Sequence, residues 1–440
     1  IMKKNICFIA ILGMLLCNIA CHQPERVINV GQEQVSEVIE YMTNLMVDDN
    51  TNPPLAARFF AYASLAGYEV VSQNNPSFKS MHGILNGYPL IKKPVGAVFN
   101  ENVAALLAMI GVAKKMQPSG ARFDSLERSL LSYFKSNGIK KKTLEGSLQY
   151  AESIAGSILA YAEEDGYRRL SNFPRYSPKP GKGFWFPTPP AYMDALEPYF
   201  NRVRTFYLDS SSLFIPPPPT PFSENKDTDF FKVMNEVYVQ SKSTDPLHAE
   251  IASFWDCNPF AVVDKGHLQF GIKKISPGAH WMGIAGIAIG RQFLSFDSAM
   301  QAYTVLSTTL TDAFISCWDE KYRSDRIRPE TVIRRYIDKS WEPLLQTPPF
   351  PEYPSGHSVV STAAAVVLSR YFGENFAYTD TVERAFGLKD RHFTSFRQAA
   401  AEASISRLYG GIHFMDAITE GQVVGEAVGE YAIGKFFIEE

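Results

Sequence analysis

Apolar residues recur at three- and four-residue intervals through most of this chain. PPLAARFFAYASLAGYEVV from Pro53, ENVAALLAMIGVAKKM from Glu101, DSLERSLLSYFKSN from Asp124 and EGSLQYAESIAGSILAYAEED from Glu145 each carry the periodicity of a packed helix. The same pattern returns in DTDFFKVMNEVYVQSK, HAEIASFWDC, His280–Phe296, Asp297–Lys321, SVVSTAAAVVLSRYF and ITEGQVVGEAVGEYAIGKFF. Strand-like alternation is scarce, so the pattern predicts an all-α protein.

One stretch breaks the periodicity. Between Ser171 and Ser223, Pro174, Pro178, Pro180, Pro187, Pro189, Pro190 and the run Pro216–Pro219 force extended or turn backbone. A flexible linker would be polar, yet Phe184, Trp185, Phe186, Tyr192, Tyr199, Phe206 and Tyr207 fall here. The expectation is an ordered, irregular Pro- and aromatic-rich belt packed on the helices, structural first and at most a wall of a site mouth.

Composition narrows the class. With 440 residues, 45% of them hydrophobic, the chain can bury a large core without staples. A net charge of −3 argues against nucleic acid as a partner. Lys3 and Lys4 precede the apolar run ICFIAILGMLLCNIA and then Cys21, which reads as a bacterial lipoprotein signal cleaved before a lipid-bearing cysteine. Asn18 is atypical for that signal, so a secreted form or an uncleaved anchor stays open. The expected division is a signal over 1–21, a tether and N-terminal segment over 22–54 and a helical domain over 55–440. Localisation is then the cell envelope, periplasmic or surface-exposed, with the lipid as the only membrane contact. WMGIAGIAIG, the best internal candidate for a span, is too short. Cys257 and Cys317 are left as thiols of the folded domain, and no Cys/His spacing reads as a zinc site.

The chemistry gathers near the C-terminus. Lys321 and Arg328 stand in KYRSDRIRP, Ser355, Gly356 and His357 in PSGH, and Arg407 and His413 in SRLYGGIH. Arginine offers forked donors, lysine a point charge, and a turn with glycine lets amides approach an oxyanion. PPFPEYPSGH enters a helix, which places Ser355, Gly356 and His357 at a positive helix terminus. Gly410 and Gly411 end another helix and let His413 turn inward. Gly421, Gly425 and Gly429 recur every fourth residue in the last helix, where Glu426 and Glu430 favour close packing against a neighbour over a membrane face.

Lys-x6-Arg-Pro, Pro-Ser-Gly-His and Ser-Arg-x5-His, in that order, resemble the signature of the vanadium-dependent haloperoxidase and type 2 phosphatidic acid phosphatase superfamily, in particular its soluble haloperoxidase-like branch. The resemblance implies a helical bundle and an enzyme acting at a bound oxyanion. It implies Lys321, Arg328, Ser355, Gly356 and Arg407 as phosphate- or vanadate-binding groups, His357 as general acid/base, and His413 as nucleophile or vanadate ligand. Trp318 and Phe350 match positions that are aromatic in such haloperoxidases; at the second, chloride-oxidising members tend to carry Phe and bromide-oxidising ones His. Both also read as core packing. The family pattern usually continues His-x3-Asp, whereas this chain has His413-Phe414-Met415-Asp416, so Asp416 either orients His413 or caps the following helix.

Two reactions share these residues. A phosphatase would hydrolyse phosphate monoesters through a phosphohistidine at His413 with no cofactor. A haloperoxidase would hold vanadate there and oxidise a halide with peroxide. A surface lipoprotein that only binds phosphate or vanadate is the third reading.

Overall fold

The computed structural model describes residues 30–96, 98–265 and 268–437. The expected signal segment and Cys21 lie outside them. Thirteen α-helices dominate the described residues, with two short antiparallel hairpins, Val262–Lys265 (β1) with Leu268–Gly271 (β2) and Tyr378–Asp380 (β3) with Arg391–Phe393 (β4). The fold is the all-α class that the periodicity predicts.

The N-terminal half supplies the helices Gln32–Asp48 (α1), Pro53–Asn74 (α2), Glu101–Met116 (α3), Phe123–Ser136 (α4) and Lys141–Glu163 (α5). The first of these lies within the stretch 22–54, and its apolar stripe of Val35, Val38, Ile39, Met42 and Leu45 is buried in the common core. Asn52 caps α2 by accepting from the Leu55 amide at 2.9 Å, with Pro53 and Pro54 in its first turn.

The C-terminal half supplies Asp229–Ser241 (α6), Pro246–Phe254 (α7), Pro277–Gln292 (α8), Phe296–Ser324 (α9), Pro329–Tyr336 (α10), Gly356–Phe372 (α11), Phe396–Tyr409 (α12) and Met415–Phe437 (α13). Helix α9 is the axle: most of its residues from Phe296 to Lys321 are buried, and it packs on α2, α11 and α13. It stops at Asp325, which takes a left-handed conformation at φ 52°.

Helices α11 and α13 pack most intimately, through the glycines singled out in the sequence. A Cβ on Gly421 would lie 2.9 Å from the Ser355 carbonyl oxygen, and one on Gly429 2.7 Å from Val366 Cβ. These glycines permit a close helix crossing. Among the described residues no helix is long and apolar enough to cross a membrane.

The belt is ordered. The Trp185 amide donates to the Asp325 carbonyl at 2.8 Å, Tyr353 donates its hydroxyl to the Pro217 carbonyl at 2.5 Å, and the Trp318 indole donates to the Leu196 carbonyl at 3.2 Å. It therefore braces the end of α9 and the loop before α11 from outside.

Candidate functional site

Three chain reversals converge at one end of the bundle. Helix α9 carries Lys321 in its last turn, α11 begins after Ser355, and α12 carries Arg407 in its last turn, after which Gly411, at φ 76°, turns the chain so that His413 points back. Trp318, Phe350, Gly356, His357, Arg407 and His413 line the cavity between them. Asp256, Cys257, Phe260 and Pro277 close its other side, and no belt residue lines it. The aromatic wall is continuous, with the Trp318 and Phe350 rings 5.0 Å apart.

His413 is held at both nitrogens. Its Nδ1 lies 3.0 Å from Glu352 Oε1, and its Nε2 lies 3.2 Å from Arg328 Nη1. A guanidinium only donates, so Nε2 carries the lone pair and Nδ1 carries the hydrogen given to Glu352. Burial and then the charge of Arg328 hold the imidazole well below its usual range, so it is neutral. A neutral imidazole with a fixed Nε2 lone pair is the form that attacks or ligates.

His357 opens α11. It hydrogen-bonds the Trp255 backbone, and its Nε2 has no partner among the described residues. Burial and the nearby Arg407 charge hold it, too, well below its usual range. The result is a neutral ring with one anchored edge and one free edge at the cavity. The Gly356 and His357 amides sit in the first turn of α11, where no intrahelical acceptor exists for them.

The cations divide into front and back. Arg407 lines the cavity, steadied by Nη2 bonds to the Trp255 carbonyl at 2.6 Å and the Ala252 carbonyl at 3.4 Å. Arg328 donates from Nε to the Phe350 carbonyl at 2.9 Å and from Nη1 to the Ile412 carbonyl at 2.9 Å, leaving Nη2 buried without a partner among the described residues. Burial lowers Arg328 to about 10, still charged at neutral pH. Lys321 stands behind the wall: Nζ donates to the carbonyls of Pro351, Glu352 and Pro354 at 3.0, 3.1 and 2.6 Å, and burial pushes its ammonium down to about 7. Ser355 is also behind the wall, its Oγ accepting from the Ser358 amide at 3.4 Å as the cap of α11.

Asp416 is placed differently from either expectation. It stands in the first turn of α13, where it pairs with Arg326 Nη1 at 2.6 Å and accepts the Thr220 amide at 3.0 Å. With Arg326 holding it, its carboxylate is not the one bonded to His413. That partner is Glu352, the residue immediately before the cis Tyr353-Pro354 pair; it also accepts the Phe414 amide at 2.9 Å and lies 3.3 Å from Arg326. Asp416 and His413 are thus joined through Arg326 and Glu352. The only sequence cue for Glu352 is a carboxylate inside an otherwise apolar loop, PPFPEYP.

Such an array can hold a tetrahedral oxyanion: a nitrogen lone pair at its base, two guanidinium groups and helix-terminal amides around it, and a free imidazole edge beside it.

Comparison with known proteins accords with this geometry. The family model described as the VCPO second helical-bundle domain matches residues 301–437. The crystal structure of the first bacterial vanadium-dependent iodoperoxidase is similar over 93% of this chain and 98% of its own, at 43% identity and a TM-score of 0.88. A holo-type bacterial vanadium-dependent chloroperoxidase is similar over 88% of this chain and 92% of its own, at 16% identity and a TM-score of 0.67, a likeness of fold alone. No curated protein matches the chain.

Proposed function

The chain belongs to the vanadium-dependent haloperoxidase family, and from that premise we propose that it is a haloperoxidase that oxidises a halide with peroxide in the cavity between His413 and His357. The observation that carries the proposal is His413 itself: neutral, its Nδ1 hydrogen given to Glu352, its Nε2 lone pair turned toward Arg328.

The residues fit vanadate. His413 Nε2 would be its protein ligand, and Arg328, whose buried Nη2 has no partner among the described residues, and Arg407 would balance its charge. The Gly356 amide would add a donor at the start of α11, which Ser355 holds in place as its cap, with Lys321 adding charge from behind the loop. What the cofactor supplies when bound is the activation of peroxide toward a halide. His357 would move the protons at Nε2, since its other edge is tied to the Trp255 backbone. Trp318 and Phe350 would keep the halide partly dehydrated.

Iodide is the halide we favour, because the 43% identical protein is an iodoperoxidase. A phosphatase or a pure anion binder would need the same cations; the free edge of His357 at the cavity favours turnover over binding alone. Lys3, Lys4, the apolar run and Cys21 support a place at the bacterial cell envelope, held by lipid.

The test is direct. Purified protein loaded with vanadate should iodinate a phenol-type dye when peroxide and iodide are supplied, with bromide and chloride as parallel arms. Vanadate-free protein should do none of this. Phosphate-ester hydrolysis by vanadate-free protein, with no halide oxidation after loading, would overturn the proposal.

A further inference from the structure

Behind one wall of the cavity, four buried groups from separate stretches of the chain meet. Cys257 follows α7, His280 lies in the first turn of α8, Asp380 ends β3, and Glu383 lies in the turn after it. The His280 and Asp380 side chains are wholly closed to solvent. His280 Nε2 lies 2.8 Å from Asp380 Oδ2. The other nitrogen is crowded: Nδ1 is 3.1 Å from Glu383 Oε1 and 3.6 Å from Cys257 Sγ. An imidazolium N–H points at one acceptor, yet a sulfur and an oxygen both converge on this edge, and the three ligand atoms lie within 4.8 Å of one another.

Two of the three edges have the lengths of a coordination sphere. A tetrahedral zinc centre with Zn–S of about 2.3 Å and Zn–N of about 2.0 Å separates sulfur from nitrogen by about 3.6 Å. Cys257 and His280 stand at that distance, 3.6 Å. With Zn–O of about 2.0 Å the nitrogen-to-oxygen edge is about 3.3 Å, and here it is 3.1 Å. Asp380 occupies the outer position, where a carboxylate accepting from the far ring N–H fixes the tautomer that turns Nδ1 inward. Trp255 stacks on the imidazole at 4.7 Å, and Phe254 meets its edge at 5.5 Å, so the site is dry on those sides.

Charge points the same way. Asp380 and Glu383 have no lysine or arginine partner among the described residues, only His280. With both carboxylates ionised, a thiol and an imidazolium leave the cluster at a net single negative charge. Exchanging the thiol proton and the Nδ1 proton for one dication leaves that charge unchanged. Two protons go to solvent, and no further charge is buried.

We propose that Cys257 Sγ, His280 Nδ1 and Glu383 Oε1 form a zinc-type divalent metal site, with Asp380 as the outer partner of His280 and water in the fourth position. Its consequence lies in the loop it ties down. The Trp255 carbonyl, two residues before Cys257, accepts from Arg407 at 2.6 Å, and the same backbone group hydrogen-bonds His357. Metal at Cys257 would fasten that loop to α8 and to the turn after β3, holding the two groups in register.

The experiment is independent of catalysis. Full-length protein produced in zinc-supplemented medium and desalted should carry about one zinc per chain by elemental analysis. Replacement by cobalt(II) should give a thiolate-to-metal charge-transfer band that Cys257→Ser removes and His413→Ala keeps. Zinc added to the metal-free protein should release two protons into a dilute indicator buffer. Wild-type protein decides the matter even where Cys257→Ser fails to fold. No retained zinc together with no charge-transfer band on cobalt titration would leave an imidazolium between two carboxylates and overturn the proposal. So would zinc held equally by a folded Cys257→Ser variant.

Discussion

Glu352 Oε1 sits 3.0 Å from His413 Nδ1 and also accepts the Phe414 amide, so one buried carboxylate fixes both the His413 ring and the peptide that follows it. Burial pushes this carboxyl up to about 7, against the pull of Arg326 and Arg328. Its value to the site is orientation: the acceptor at Nδ1 decides which nitrogen keeps the lone pair.

Glu352→Gln should therefore weaken vanadate binding by about 10- to 100-fold, the usual loss for an outer-sphere partner. Asp416→Asn, one ion pair further out, should cost less. Equilibrium dialysis with elemental detection measures both, with circular dichroism as the check on folding. An Asp416→Asn loss as large as that of Glu352→Gln would assign the orienting role to Asp416 after all.

The two histidines should separate binding from turnover. His413→Ala removes the lone pair at the base of the site, so vanadate should no longer be retained on desalting. His357→Ala leaves every proposed donor side chain in place and should keep vanadate, while halide oxidation slows by about 10²- to 10⁴-fold, as loss of a general acid/base does. Retained vanadate in His413→Ala, or unchanged turnover in His357→Ala, would reverse the assignment.

Much of this arrangement was legible in the sequence because it depends on local backbone. Helix period, the helix start at Ser355-Gly356, the Gly410-Gly411 stop and the order of the basic and histidine motifs are all short-range features. What was hidden depends on long-range contact. Glu352 meets His413 across 61 positions, and nothing in PPFPEYP says which way the carboxylate turns. The distal wall at Asp256 and Cys257 follows α7, far from the motifs, and the His280 cluster gathers residues that no spacing rule connects. Lys321 illustrates the middle case: its motif marks it as a cation near the site, but only the fold shows its three protons spent on the loop before α11.

Cys21 offers a test of place in the cell. With Lys3, Lys4 and the apolar run before it, Cys21→Ser should release the protein to the soluble fraction or leave the precursor unprocessed, read by membrane fractionation and intact mass. Unchanged fractionation and mass would refute lipid attachment at this residue.

Gly421 should be sensitive although it touches no ligand. A Cβ there would press on the Ser355 carbonyl at 2.9 Å and on Ser358 Cβ at 2.8 Å, pushing α13 away from the helix start that carries Gly356 and His357. Gly421→Ala is expected to destabilise the fold by about 1–3 kcal/mol, the range for overpacking. Gly434→Ala in the same helix meets nothing within 4 Å and should be neutral or stabilising by about 0.5–1 kcal/mol. Urea unfolding of the two variants measures the contrast, and equal stabilities would mean that α13 is not pinned at Gly421.

Lys321 makes the site pH-dependent in a definite direction. Burial pushes its ammonium down to about 7 in the free protein, whereas an oxyanion nearby favours the charged form. Below about pH 7 the group is charged with or without the anion, so binding moves no proton on it. Above that pH the free protein has shed the proton, and anion binding must draw it back. Affinity should then fall as pH rises, by up to about tenfold per unit, until the raised value in the complex is passed. Vanadate titrates as well, so the useful quantity is the ratio of wild-type Kd to that of Lys321→Arg, whose guanidinium keeps its charge throughout. That ratio should stay flat below about pH 7 and climb above it. A ratio that does not change up to about pH 9 would mean that the three loop carbonyls keep Lys321 protonated, leaving it a permanent charge behind the wall.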